Sequence, residues 1–274
     1  MAILHEELGR ALCVSPLFPS LIGGQALLQW ASEELRREWL PKVASGERVV
    51  TYAIEEPGPG KLRAQVIGSV CTVRGAYHAV PLGHAADAYI VTAKAGRDFA
   101  VCLVERAQPG VRSTRMHTIG GAPLAAVQFK DAQGAVLATG EAAQAEMDAL
   151  LLRCRLMLAA EMTGGARAAL EIALEYAKQR VAFGRPIGTF QALQHKMANM
   201  SMRIEGAQAA LYYAATLLSQ KKPARAACAA AQLQALDACR FAATEGIQVF
   251  GGIGAAGRLQ VPGRRPLACD RSDE

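Results

Sequence analysis

The stretch from Tyr176 to Met200 reads YAKQRVAFGRPIGTFQALQHKMANM and holds the residue best suited to a definable chemistry, Arg180. A guanidinium pairs with phosphate or pyrophosphate oxygens through charge-assisted hydrogen bonds. The plainer alternative is a solvated cation at a helix C-terminus, with Gly184 and Gly188 as turns and Phe183 as core. A second run, Gln248-Val249-Phe250-Gly251-Gly252-Ile253-Gly254, lacks Cβ atoms where backbone would approach a bound group. Taken alone, that run is a weak signal. Cys154 falls on an apolar stripe, where a thiol reads as inert packing. The histidines His5, His78, His84, His117 and His195 show no metal-ligand spacing, so no metal site is expected. No G-x-S-x-G and no Walker pattern occurs, which removes two common hydrolase and nucleotide-binding classes.

Helices must position Arg180 and Gln248. Met147, Leu151, Cys154, Leu158, Met162, Gly165, Ala169, Ile172 and Tyr176 step by three or four residues. So do Phe190, Leu193, Met197, Met200, Ile204, Ala207, Leu211, Ala214 and Leu218. The spacing predicts helices over 143–182, 188–220 and 224–250, packed as a bundle through many Ala and Gly contacts. Ahead of them, from 47 to 138, the period shortens. Val49–Tyr52, Gln65–Ile67, Ala88–Thr92, Phe99–Val104 and Ala126–Phe129 read as short strands of a small β-barrel or sandwich. Pro57-Gly58-Pro59-Gly60 and Gly120-Gly121-Ala122-Pro123 read as turns. Residues 1–46 look helical: Ile3, Leu8 and Leu12 share a face, and Ser32-Glu33-Glu34 reads as a capped helix start. The tail from 255 to 274 has no clear period.

Composition narrows the class. Hydrophobic residues make up 51%, aromatics only 5%, and Ala is abundant, a mixture that favours close-packed helices. The formal charge of +6 suits a solvated surface and is compatible with anionic ligands. No basic arm is present beyond Lys221-Lys222, so nucleic-acid binding is not expected. The seven cysteines, Cys13, Cys71, Cys102, Cys154, Cys228, Cys239 and Cys269, are odd in number and widely spaced. They read as reduced thiols of a cytoplasmic protein. No secretory leader and no membrane span is expected.

The pattern R-x-x-F-G-x-P-I from Arg180, followed by F-Q-x-x-Q-H from Phe190, resembles the C-terminal helical domain of the acyl-CoA dehydrogenase family. Gln248 to Gly254 is similar to that family's Q-x-x-G-G-x-G, and Ala31–Pro41 with Ala44–Glu47 to its link into the β domain. The resemblance implies an α+β multidomain fold: a partial N-terminal helical domain (1–46), a β domain (47–138), a C-terminal bundle (139–254) and an irregular tail (255–274). The family's chains normally carry more helices ahead of the first segment.

The implied chemistry is α,β-dehydrogenation of an acyl-CoA thioester with FAD, and electrons passing to an electron-transfer flavoprotein. By resemblance Arg180, Phe183, Phe190, Gln191, Gln248, Gly251 and Gly252 lie at cofactor positions, Arg180 reaching FAD held mainly by a neighbouring subunit. Tyr52, Glu55 and Gly60 line up with positions of the flavin-ring motif Y-x-x-T-E-P and the glycines after it. Glu55 replaces a Thr, Lys61 a Ser, and Ala79-Val80-Pro81 the motif W-I-T, so the ring contacts are eroded. Arg155 matches a family arginine on the substrate side. The catalytic carboxylate is missing: Cys154 stands at one family position, and only the terminal Asp273 and Glu274 fall near the other. Glu161 lies two turns beyond Cys154 and off the stripe. Three outcomes stay open: an impaired dehydrogenase; a non-catalytic subunit that completes the FAD site of an active homologue; or a truncated inactive gene product. In each the chain is expected to be a homo- or hetero-oligomer.

Overall fold

A computed structural model of the chain describes residues 1–54, 62–96, 98–118 and 121–255. By internal contacts it divides into two compact units, one of residues 14–151, the other joining residues 1–13 to the chain from 152 onward.

The first unit is built on strands β1 (Val50–Ala53), β2 (Arg63–Ile67), β3 (Val70–Pro81), β4 (Ala88–Ala95), β5 (Asp98–Glu105), β6 (Val111–Arg115) and β7 (Leu124–Thr139). Pairing runs β4–β2–β3–β7–β5 and returns from β5 to β4, so the sheet closes on itself. Closure leaves few unpaired edges and explains how short strands form a stable unit. Strand β1 adds in parallel to β4, with Tyr52 opposite Ile90, and β6 adds to β7. Inward side chains alternate along β4, as Tyr89, Val91 and Ala93, and along β5, as Ala100, Cys102 and Val104; Tyr89 and Phe129 meet edge to face inside the barrel at 5.8 Å. The expected strands fall on β1, β2, β4, β5 and β7, with Val49 alone lying one residue ahead of β1. Strands β3 and β6 escaped the sequence reading for different reasons. Strand β3 carries register shifts at Val73/Gly75 and Tyr77/Val80, which break its alternation. Strand β6, VRSTR, is polar but for Val111.

Two helices precede the barrel, α2 (Leu17–Trp30) and α3 (Glu33–Ser45), after the short α1 (Ala2–Arg10) of the other unit. Ser32 caps α3 by accepting from the Leu35 backbone N–H at 3.3 Å, as its sequence signature predicts. Gly23 of α2 lies so close to β1 that a Cβ there would stand 2.6 Å from Val50, which locks the two elements together.

The second unit packs α4 (Gly140–Gln179, from Leu152 onward), α5 (Gln191–Ser219) and α6 (Arg225–Phe250). Their ends fall within a few residues of the expected bounds. Met197, Met200, Ile204, Ala207, Leu211 and Ala214 form the buried stripe of α5, against Ala231, Ala235, Ala238 and Ala242 of α6. On α4 the buried set drifts from the expected stripe: Leu158 is exposed, whereas Ala159, Ala160, Thr163, Ala166, Leu170, Ala173 and Ala177 are buried. The helix buries more than one face, and a single three–four count cannot follow that.

Helix α1 also departs from expectation. Ile3 and Leu12 are exposed, and the residues it buries are His5, Glu6 and Gly9. Backbone proximity is the cause. A Cβ on Gly9 would lie 2.0 Å from the Glu161 carbonyl oxygen, and one on Gly164 would lie 1.9 Å from that of Glu6. Both polar side chains brought in make hydrogen bonds: His5 Nδ1 lies 2.8 Å from Glu161 Oε1, and Glu6 accepts from Tyr212 Oη at 2.7 Å and Gln208 Nε2 at 2.5 Å. Buried polar groups are tolerated when paired in this way.

Candidate functional site

The end of α4 is shaped by a small hairpin. Strands β8 (Val181–Ala182) and β9 (Arg185–Pro186) pair antiparallel. Phe183 and Gly184 form the loop, at φ +53° and +78°. Positive φ at both central residues is what a primed hairpin turn demands. Glycine adopts it without penalty, whereas a bulky residue does so at a cost. Phe183 is also 94% exposed. Its ring stands 6.2 Å from Phe190, edge to face, and the Arg185 guanidinium lies 4.4 Å over Phe190. The hairpin is tied down at its base. The Ile187 N–H donates to the Arg180 carbonyl at 2.8 Å, and Gln194 Nε2 donates to the Gly188 carbonyl at 3.0 Å. Gly188 has a specific reason to be glycine, because a Cβ there would come 3.0 Å from the Ala177 carbonyl oxygen.

Arg180 follows the last turn of α4 and is exposed, as is Gln191 at the start of α5. Among the described residues the Arg180 guanidinium has no carboxylate within salt-bridge distance. Tyr176, four residues earlier, stacks on Phe250 at 4.5 Å. That contact brings the end of α6 beside the end of α4. There Gly251 takes φ +61° and ψ −136°, a conformation open in practice only to glycine. A Cβ on Gly251 or Gly252 would meet nothing within 4 Å, and Gln248 is exposed. One end of the bundle thus presents a cation, an aromatic ring, an amide and side-chain-free backbone. Both helices end here, so their dipoles disfavour an anion, and Arg180 supplies the counter-charge. These groups fit the phosphate end of a dinucleotide.

The flavin-ring positions lie in the barrel unit. Tyr52 is half-buried and meets Phe18 of α2 edge to face at 6.4 Å. Glu55, Gly60 and Lys61 lie outside the described residues. Ala79, at φ +65°, and Pro81 close β3, and Pro81 O accepts from Thr51 Oγ1 at 2.6 Å. The segment at the W-I-T position therefore offers backbone and a small side chain in place of an aromatic ring.

Cys154 is buried, and that burial pushes its thiol up to about 12. The nearby charges of Arg153 and Arg155 act the other way but are outweighed. Arg155 is half-buried. Glu161 turns to His5 rather than to Cys154. Asp273 and Glu274 lie outside the described residues. Among the described residues no group of three or more His, Cys, Asp or Glu is placed to hold a metal, and no helix is long and apolar enough to cross a membrane. His195 is exposed on α5. Sequence reasoning missed Phe18 and Arg185. Arg185 sits inside the motif as its variable position, and nothing in the sequence near Phe18 points to Tyr52.

Comparison with known proteins agrees over both ends of the chain. Residues 144–264 match the family description acyl-CoA dehydrogenase, C-terminal domain, and residues 1–47 match acyl-CoA dehydrogenase, N-terminal domain. The chain is 31% identical to an acyl-CoA dehydrogenase of Bacillus subtilis, covering 92% of this chain and 71% of that one. It is 28% identical to the human mitochondrial short-chain specific acyl-CoA dehydrogenase, over 92% and 66%. Among solved structures, butyryl-CoA dehydrogenase from Megasphaera elsdenii superposes with a TM-score of 0.83 at 27% identity, covering 93% of this chain and 72% of that one. The ChsE4-ChsE5 complex from Mycobacterium tuberculosis gives 0.83 at 29% identity, covering 92% and 69%. A glutaryl-CoA dehydrogenase from Mycobacterium smegmatis in complex with FADH2 shares the fold at 0.84 and 22% identity, covering 92% and 69%. The closed β unit, the helical bundle, the hairpin after α4 and the relative of known sequence lead to one conclusion: this chain belongs to the acyl-CoA dehydrogenase family.

Proposed function

We propose that the chain is an FAD-binding acyl-CoA dehydrogenase homologue whose α,β-dehydrogenation of a CoA thioester is impaired in the isolated chain. When bound, FAD supplies the acceptor for the β-hydrogen as hydride. The protein must hold that cofactor and remove the α-proton. Arg180 would pair with the pyrophosphate, Gln248 would bond the same half, and Gly251 and Gly252 would let backbone come close. Phe183, Phe190 and Gln191 would flank it, and Tyr52 would meet the ring.

The observation that carries the impairment is Cys154. Proton removal needs a base whose pKa suits the operating pH. A carboxylate in a dry pocket meets that need, because desolvation raises its pKa toward neutrality. A thiol pushed up to about 12 by the same burial is almost wholly protonated at neutral pH. Loss of a general base costs about a hundred- to ten-thousand-fold in rate. The test is Cys154→Glu, assayed with acyl-CoA substrates and an artificial electron acceptor. The expected result is measurable oxidation by the variant and negligible turnover by the parent chain. Robust parental turnover, abolished by changing Asp273 or Glu274, would overturn this reading and assign the base to the tail.

A second reading is favoured by the hairpin. Arg180 and Phe183 are exposed on their own unit, as groups lent to a neighbouring chain would be. In that reading the chain is a non-catalytic subunit that completes the FAD site of an active homologue. A flavin absorbance spectrum separates the two, taken after expression alone and after co-expression with such a homologue. Flavin retained only in the second preparation supports the subunit reading.

A further inference from the structure

Among the three residues assigned to the flavin-ring end, Tyr52 is the described one, and Phe18 is a ring in contact with it. Phe18 stands in the first turn of α2, just after Pro16 and Leu17. The close approach of Gly23 to Val50 fixes α2 against β1, the strand that carries Tyr52. The spacing of the two rings is therefore set by packed backbone.

A second edge-to-face pair in the same unit gives the contrast. Tyr89 and Phe129 are 0% and 2% exposed, and the Tyr89 hydroxyl donates to the Gly83 carbonyl at 2.6 Å. That pair is sealed core. Phe18 and Tyr52 are both only half-buried. Their contact orients the tyrosine, and neither ring is sealed in as the core pair is.

On the FAD reading above, we propose that Phe18 is a positioning residue, holding Tyr52 in the rotamer that meets the flavin ring. Edge-to-face aromatic pairs contribute about 0.5–1.5 kcal/mol beyond burial. That corresponds to roughly a two- to tenfold bias toward the held rotamer. The bias matters here because the other ring contacts of the family are replaced at Glu55 and at Ala79–Pro81.

The test reads emission from bound FAD, which a tyrosine in contact with the flavin ring quenches. The full chain is loaded with FAD and freed of excess by gel filtration. A wild-type chain that retains no flavin overturns both the FAD reading and this inference. Where flavin is retained, Tyr52→Leu measures the quenching owed to Tyr52. Phe18→Ala is expected to recover part of that emission, the ratio of held to released rotamer falling roughly two- to tenfold. Phe18→Tyr, which keeps a ring edge, is expected to restore quenching where Tyr52 is present and not in the Tyr52→Leu background, where a tyrosine at 18 would have to quench by itself. In the Tyr52→Leu background, Phe18→Ala is expected to change nothing further. Emission from Phe18→Ala equal to wild type overturns the inference while leaving the FAD reading intact. So does an effect of the same size without Tyr52. Circular dichroism checks folding, and Phe18→Leu, which keeps bulk without a ring edge, replaces the alanine variant if that fails to fold.

Discussion

Phe183 combines two costs, a left-handed backbone and an aromatic ring 94% exposed to water. Strained residues of this kind cost about 1–3 kcal/mol and persist where the surroundings impose them. Here the tied base of the hairpin imposes it. Phe183→Gly is expected to stabilise the chain by about 1 kcal/mol, since glycine adopts the same φ freely, and to weaken FAD retention. Thermal denaturation with and without FAD checks both signs; a variant less stable than the parent would show that Phe183 is packing. Cys154 makes the second residue-scale prediction. Burial pushes its native thiol up to about 12, above its ordinary value of 9.0. Below the ordinary value both folded and unfolded thiols are protonated, and Cys154 adds no pH dependence. Above it the unfolded chain loses a proton that the native chain keeps, so stability falls as pH rises from about 9 toward 12. Urea midpoints measured at neutral pH and near pH 10 are expected to differ less in Cys154→Ala than in the parent.

At the scale of elements, how much was legible depended on whether one face decides the element. Helix α5 buries one stripe, and its period was read residue for residue. Helix α4 buries more than one face, and the expected stripe lost register by Leu158. Strand β3 hid behind its bulges and β6 behind its polarity. The hairpin after α4 was visible as a motif, but its positive φ values, its exposed ring and the Arg185–Phe190 contact belong to tertiary geometry. Helix α1 was misread because its seam is made by two glycines rather than by its apolar residues. That seam yields a prediction. Gly164→Ala places a methyl 1.9 Å from the Glu6 carbonyl oxygen, a backbone atom that moves only with its helix. Overpacking of this kind costs about 1–3 kcal/mol. Gly165→Ala is the control, because its nearest neighbour would be 3.6 Å away. A lowered melting temperature for the first variant and a near-normal one for the second are expected. Equal melting temperatures would show that α1 does not dock through this seam.

At the scale of the whole molecule the question is what lies against the bundle. Met202 and Tyr213 of α5, and Leu233, Leu236 and Ile247 of α6, are each at least half exposed. Single exposed apolar residues need no explanation, but several on neighbouring helices amount to an association surface. They recur along α6 at Leu233, Leu236 and Ile247 beside the buried Ala231, Ala235, Ala238 and Ala242. Small residues therefore face the helix's own bundle and large ones face away, the reverse of what an isolated bundle would need. The proposed cofactor residues fit that expectation: Arg180 and Phe183 are exposed on their own unit, where groups lent to a second chain would lie. The chain is accordingly expected to be dimeric or larger, alone or with a homologous chain. Light scattering is expected to return at least twice the mass of one chain. Leu233→Glu with Leu236→Glu should lower that mass while circular dichroism stays helical, since neither side chain is buried in the bundle. A monodisperse monomer that still retains FAD would sink the idea that Arg180 serves a neighbour's cofactor, and would leave it acting within its own chain.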